Sequence, residues 1–223
     1  MHPEELPEQG FVYLILSDIS KKRKYFLHLE NKGPKRREKI DLAGNRTRMI
    51  RIGWTGDPKR NGGGQNMKPY NRRDAAAYAE RWALGRNPAY YDFDGLGGDC
   101  TNFVSQCVYA GAGVMNWTPE LGWYYAGLNR RAPAWTGVEF FSRFLLSNNG
   151  PGPRGRLAAE NEMLPGDVIQ LGNAAGSYYH SLLVLRREAG EILVAAHTND
   201  ALYRPLSSYY YDRARYLHIT GVG

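Results

Sequence analysis

The stretch GGDCTNFVSQCVYAGAG, residues 97–113, decides the fold because it predicts a buried helix that begins at a cysteine. Apolar residues recur in it at intervals of three and four, which is typical of one helix face, at Phe103, Val104, Cys107 and Val108. Asp99 is well suited to cap the start of this helix, and Gly111 to end it. The stretch therefore predicts a helix with Cys100 in its first turn.

The two cysteines of the chain both lie in this stretch, seven residues apart. A helix rises ~1.5 Å per residue, so their Cα atoms should lie roughly 10 Å apart, whereas a disulfide needs them within ~7 Å. The chain has no CxxC pair, so the spacing typical of a zinc site is absent too. Cys107 is expected to pack in the core. Cys100 is either a second small buried residue or a nucleophile, whose thiolate the positive end of the helix would favour.

A cysteine nucleophile needs an imidazole to accept its proton, and the best-placed histidines flank a predicted β-hairpin. The hairpin comprises SLLVLRR, a turn at Glu188–Glu191 and ILVAAH, with His180 just before its first strand. With a two-residue turn, His180 faces Asn199, and His197 lies two residues along on the same side. Asn199 or His197 is thus the candidate to orient His180; the alternative is a strand-end histidine beside a polar turn.

The chain divides by composition into a basic extension, residues 1–66, and a larger domain, residues 67–223. The net charge is +7, and residues 1–74 contain 17 Lys and Arg against 9 Asp and Glu. Three short apolar runs in the extension predict strands, FVYLIL, YFLHLE and MIRIGW. The Gly- and Pro-rich segment DPKRNGGGQNMKP marks the boundary. We therefore expect a small β-rich unit followed by a separate domain.

The larger domain changes from helical to strand patterns along its length. Asn71 is a plausible cap for the helix RRDAAAYAERWAL, and VEFFSRFLLSN has the periodicity of an amphipathic helix. The last third is rich in β-type runs, beginning with DVIQLG. Helices first and an antiparallel sheet afterwards predict the α+β class.

The composition also limits the partners and the location. The basic extension suits an anionic partner, a cell-wall polymer, an anionic lipid or nucleic acid, of which nucleic acid is not the expected one. The alternative is a solubilising surface on a small β unit, because basic runs this short are common. The run FVYLIL is too short to span a membrane and has no basic segment before it, so a signal peptide is not predicted. A cytoplasmic location is the default expectation, with a cell-wall or exported location left open. No phosphate-binding loop is present, and no cofactor or metal is expected.

The segment YNRRDAAAYAERWALGRNPAYYDFDGLGGDCTNFVSQCVYAGAG, residues 70–113, resembles the bacterial putative amidase domain family. LPGDVIQL and YYHSLLV, residues 164–171 and 178–184, are similar to the Gly-Asp turn and histidine strand of the same family. The resemblance covers roughly residues 68–220. This family is grouped with papain-like cysteine hydrolases, including the NlpC-type and CHAP-type cell-wall amidases.

The resemblance implies a papain-like α+β fold with Cys100 as nucleophile and His180 as general base. Asn199 or His197 would be the third member of the triad, and we interpret Asp99 as a helix cap. The implied activity is cysteine-dependent hydrolysis of peptide or amide bonds through a thioester, with peptidoglycan as the expected substrate. Two alternatives remain open: an inactive papain-like binding module, and an acyltransferase that uses an amine as acceptor with the same Cys and His.

Overall fold

The computed structural model describes residues 67–223 and, before them, the backbone of two strands, β1 (Phe11–Ser17) and β2 (Lys24–Glu30). The chain forms two compact units, Met1–Gly62 and Gly63–Gly223. In the first unit, β1 and β2 pair antiparallel, as predicted from FVYLIL and YFLHLE. The predicted strand MIRIGW and most of the Gly-rich boundary segment lie outside the described residues. None of the described helices combines the length and hydrophobicity that crossing a membrane requires.

The second unit begins with helices that follow the predicted pattern. They are α1 (Arg72–Trp82), α2 (Cys100–Ala112), the single turn α3 (Pro133–Thr136) and α4 (Val138–Ser147). The Asn71 side chain accepts a hydrogen bond from the backbone N–H of Asp74, at 3.2 Å, and so caps α1 as predicted. α2 is buried over most of its length and lies in the centre of the helical layer.

A six-stranded antiparallel sheet packs against these helices, in the order β3-β8-β4-β5-β6-β7. Its strands are β3 (Pro153–Leu157), β4 (Val168–Gly172), β5 (Tyr178–Glu188), β6 (Glu191–Ala196), β7 (Ala201–Pro205) and β8 (Arg213–Val222). The prediction of an α+β fold with an antiparallel sheet is confirmed. So is the hairpin β5–β6, whose turn residues Ala189 and Gly190 both have positive φ, 49° and 87°.

The two faces of the sheet are buried in different clusters. Leu183 of β5 packs among the helices with Val104 and Cys107 of α2, whereas Leu182 and Val184 pack in a second cluster on the opposite face. Because side chains alternate along a strand, this assignment tells which face each neighbouring residue occupies. The same alternation decides which face of the sheet His180 occupies at the start of β5.

The prediction that Gly111 ends α2 is wrong. The helix continues to Ala112, and Gly113 ends it with a left-handed φ of 69°. Gly111 lies inside the helix and packs against Tyr70: a Cβ at this position would be 2.5 Å from the Tyr70 ring. The glycine is therefore explained by the close approach of the chain segment before α1, which local patterns do not reveal.

A β-bulge in β5 makes the predicted register of the hairpin wrong near His180. The predicted pairing holds from Glu188↔Glu191 as far as Arg186↔Leu193, but the next pair is Val184↔Val194. One extra residue in β5 therefore shifts the register by one position. A second bulge follows between Leu171↔His180 and Gly172↔Tyr178. As a result, His180 does not face Asn199; it alternates with Leu182 on the face of the second cluster.

Candidate active site

Cys100 is the first residue of α2, and only 7% of its surface is exposed. Its sulfur lies 3.8 Å from the Thr101 hydroxyl, and Cys107 is fully buried further along the same helix. Both thiols are free, in agreement with the predicted absence of a disulfide. Burial raises the pKa of the Cys100 thiol, although hydrogen bonds from the Ser181 and Thr101 backbones partly oppose it. The expectation that the helix end favours the thiolate is thus outweighed by burial, and the resting group is a thiol.

Hydrogen bonds between fully buried side chains join the start of α2 to the sheet. The Thr101 hydroxyl lies 2.9 Å from the Ser181 hydroxyl, which in turn lies 3.3 Å from Gln170 Nε2 on β4. Gln170 also donates to the Val138 carbonyl at the start of α4. Because these contacts join α2, β5, β4 and α4, they hold Cys100 in a defined position beside the first residues of β5.

The interpretation of Asp99 as a simple helix cap is wrong. Asp99 occupies the cap position but makes no side-chain cap hydrogen bond. Its carboxylate is fully buried and accepts hydrogen bonds from the Phe93 backbone at 3.0 Å and the Asn102 amide at 2.8 Å. The second carboxylate oxygen lies 2.5 Å from His197 Nδ1. The residue before Cys100 therefore ties the start of α2 to the end of β6.

Both ring nitrogens of His197 have partners. Nε2 lies 2.8 Å from the Trp82 carbonyl oxygen, and the ring stacks on Phe103 with 4.0 Å between the ring centroids. Because a carbonyl oxygen only accepts, Nε2 donates to Trp82, and Nδ1 faces the Asp99 carboxylate. No described contact joins His197 to His180. The His197 imidazole therefore connects the start of α2, the end of β6 and the end of α1.

His180 differs from His197 in having no side-chain hydrogen bond to any described residue. Its ring lies 6.0 Å from the ring of Tyr209, centroid to centroid. Burial, and secondarily the charge of Arg204, lower the pKa of His180 to about 4. The imidazole is therefore neutral near pH 7 and able to accept a proton.

The backbone brings His180 and Cys100 close together, although their side chains are not hydrogen-bonded. The contact that joins the two segments is between the residues that follow them: the Thr101 hydroxyl lies 2.9 Å from the Ser181 hydroxyl. Because Thr101 follows Cys100 and Ser181 follows His180, this contact makes Cys100 and His180 neighbours at the junction of α2 and β5.

Asn199 does not face His180 across the hairpin, which the predicted register required. It lies in the turn between β6 and β7, is exposed, and has a left-handed φ of 68°. The neighbouring Thr198 is more closely involved with the nucleophile, since its hydroxyl accepts a hydrogen bond of 2.8 Å from the Asp99 backbone. Of the predicted site residues, the structure thus brings the backbones of Cys100 and His180 together, and it joins His197 to Asp99.

Two residues near His180 were not found by sequence analysis. Tyr209 packs against the His180 ring, and the Arg204 guanidinium lies 4.0 Å from the centroid of the Tyr209 ring. Their only sequence signal is the tyrosine-rich tail in which they occur. The position of Arg204 depends on the pairing of β7 with β6, and that of Tyr209 on the return of the chain after β7, neither of which a local pattern predicts.

A family comparison places most of the chain in one family. The family model described as "Putative amidase domain" matches residues 69–220, which is most of the chain and includes Cys100 and His180. The chain belongs to this putative amidase domain family. Membership indicates a hydrolase that acts on the C–N bonds of amides.

A relative in Bacillus subtilis (strain 168), "Uncharacterized protein YhbB", is 35% identical over 139 residues. The matched region is 60% of this chain and 43% of the relative, so the chain spans less than half of the length of that protein. No solved structure matches the chain. The geometry of the amidase domain therefore has to be interpreted from its own residues.

Proposed function

We propose that this amidase domain hydrolyses amide bonds with Cys100 as nucleophile and His180 as general base. The observation that carries the proposal is the hydrogen bond of 2.9 Å between Thr101 and Ser181, the residues that follow Cys100 and His180. It supports a pairing of these two groups in a chain that belongs to a family described as a putative amidase domain. A raised thiol pKa and a lowered imidazole pKa are also consistent with a neutral pair at rest, in which the base takes the proton only during attack.

In this proposal the Cys100 sulfur attacks the amide carbonyl carbon while its proton passes to His180. The backbone N–H of Cys100, which has no helical acceptor because it is the first of α2, stabilises the oxyanion. The C–N bond then breaks, and the leaving amine takes the proton from His180. Water attacks the thioester, His180 accepts its proton, and the acid is released with regeneration of the thiol.

The proposed fold relationship is papain-like, with a cysteine helix on an antiparallel sheet and a histidine on a neighbouring strand. A triad of the predicted type would require Asn199 or His197 at the imidazole of His180. We propose instead that the His197–Asp99 pair holds the start of α2, and that His180 acts without a hydrogen-bonded partner from these two residues. The proposed substrates are peptide or amide bonds of peptidoglycan, an anionic polymer that the basic residues 1–66 would help to bind.

The test compares the wild-type chain with C100S and C107S on purified peptidoglycan, with release of new amino groups measured by mass spectrometry. We expect wild type and C107S to release the same products and C100S to be at least 100-fold slower. C107S is the matched control because it changes the same atom on the same helix, away from the sheet edge. Equal rates for C100S and wild type would refute a cysteine nucleophile. Transfer of the acyl group to an added amine, instead of to water, would make the enzyme an acyltransferase.

A further inference from the structure

An arginine held in place near His180 has no carboxylate partner within ion-pair distance among the described residues. Arg204 Nε donates to the Ser208 hydroxyl at 2.9 Å, and Nη2 donates to the Ser208 carbonyl at 3.1 Å. The guanidinium also stacks on the Tyr209 ring at 4.0 Å. Three contacts therefore restrain a charged group, while Nη1 makes no hydrogen bond to any described residue.

The Tyr209 ring lies between this guanidinium and the proposed base. One contact of the ring is with Arg204, and another is with the His180 ring at 6.0 Å. Arg204 is only partly exposed, so its charge is less screened than that of a fully solvated arginine. The charge also acts on His180, where it adds to the effect of burial on the pKa. A cation that is restrained, partly desolvated and close to the reacting groups is suited to hold an anion there.

We propose that Arg204, supported by the Tyr209 ring, forms an anion-binding subsite beside His180, and that the amide substrate carries a carboxylate close to its scissile bond. This inference rests on the proposed function, since it assigns the substrate class of the same site. Tyr209 acts as a positioning residue: it places the guanidinium and does not itself bind the carboxylate. Nη1, which makes no hydrogen bond to any described residue, is the donor proposed for the carboxylate.

The test uses a pair of reagents that differ mainly in charge, iodoacetate and iodoacetamide. In both reactions the Cys100 sulfur displaces iodide from the reagent carbon, and the thiol proton passes to His180 or solvent. The rate ratio of iodoacetate to iodoacetamide is measured at Cys100 by mass spectrometry and normalised to the same ratio for a small free thiol. Because both reagents need the same thiolate, changes in the thiol pKa cancel in this ratio.

We expect a normalised ratio above one for the wild type, and a decrease of roughly fivefold in R204Q, which is the loss expected for one nearby charge. R186Q is the matched control, since Arg186 also stacks on a tyrosine ring, Tyr203 at 4.5 Å, but lies six residues further along β5 than His180. This control should keep the wild-type ratio. Y209F should keep the ratio as well, and Y209L should reduce it towards that of R204Q. The preference of the wild type should weaken with added salt.

The outcomes separate the subsite from the proposed function. If iodoacetamide labels Cys100 no faster than Cys107, the reactive thiol itself is refuted. If Cys100 is reactive but R204Q leaves the ratio unchanged, only the anion subsite is overturned. The same holds if R186Q lowers the ratio as much as R204Q, because the preference would then reflect the net charge of the protein.

Discussion

His197 follows the end of β6 and His180 lies near the start of β5, and their surroundings differ completely. His197 is buried, bonded at both ring nitrogens and stacked on Phe103. His180 has an aromatic neighbour, a lowered pKa and no side-chain hydrogen bond to any described residue. A histidine whose nitrogens are both occupied stabilises a structure, whereas one with free nitrogens can transfer a proton. The comparison predicts that His197 supports stability and that His180 supports activity.

The largest expected effect is the loss of activity in H180A. Removal of a general base typically slows an enzyme by 10²–10⁴-fold, so we expect amide release to fall by about 10³-fold. The thermal midpoint of unfolding should change less than in H197A, because the ring makes no hydrogen bond to any described residue. Activity is measured by amine release and stability by circular dichroism. Wild-type turnover in H180A would remove His180 from the mechanism.

The next effect is the loss of stability in H197A. The substitution leaves the buried Asp99 carboxylate without its closest partner, which costs about 3 kcal/mol in the free energy of unfolding. Arg86 Nε, 3.7 Å from Asp99, is the nearest charge that would remain. Urea unfolding of H197A, D99N and the double variant should show that the two losses are not additive, because each substitution breaks the same pair. Additive losses would mean that the two residues act independently.

A smaller effect concerns the pH dependence of stability. The pKa of His180 is about 4 in the folded state and near 6.5 when unfolded, so between these values the unfolded state binds more protons. Stability should therefore decrease as the pH falls from about 6.5 to 4. Protonation of His180 should account for about 2 kcal/mol of this decrease in the free energy of unfolding, a value reduced because the ring is partly exposed. Urea unfolding across this range should show a shallower decrease in H180N than in the wild type; parallel curves would contradict the buried neutral imidazole.

The smallest expected effect is that of N199G. Asn199 is exposed and has a left-handed φ, which glycine adopts without strain, so stability should stay within about 0.5 kcal/mol of wild type. Activity should stay within about twofold, because the side chain does not face His180. N199A serves as a comparison that keeps a Cβ in the same turn. A 100-fold loss of activity in N199G would restore Asn199 as a member of the triad.

The sequence predicted the elements that carry the candidate site. Periodicity and capping indicated the helix at Cys100, and the apolar runs around Ala189 and Gly190 indicated the hairpin that begins near His180. The seven-residue spacing of the cysteines excluded a disulfide. These features depend on the geometry of one helix or one turn, so neighbouring residues contain the information.

Which partner each histidine contacts depended on residues far apart in the chain. Asp99 and His197 are 98 positions apart, and their bond exists because α2 packs where β6 ends. A single extra residue in β5 was enough to move Asn199 away from His180, since a shift of one position reverses the face of every side chain beyond it. Arg204 is placed by the pairing of β7 with β6, and Tyr209 reaches His180 through the return of the chain after β7.

For this protein, the sequence by itself determined the α+β class, the helix that begins at Cys100 and the strand that begins near His180. Only the tertiary structure decided that His197 is bound to Asp99, that His180 lies on the opposite face of the sheet from the helices, and that Arg204 stands near it. The physical reason is that helices and turns depend on contacts a few residues apart. Strand register and buried polar pairs depend instead on packing among segments that are distant in sequence.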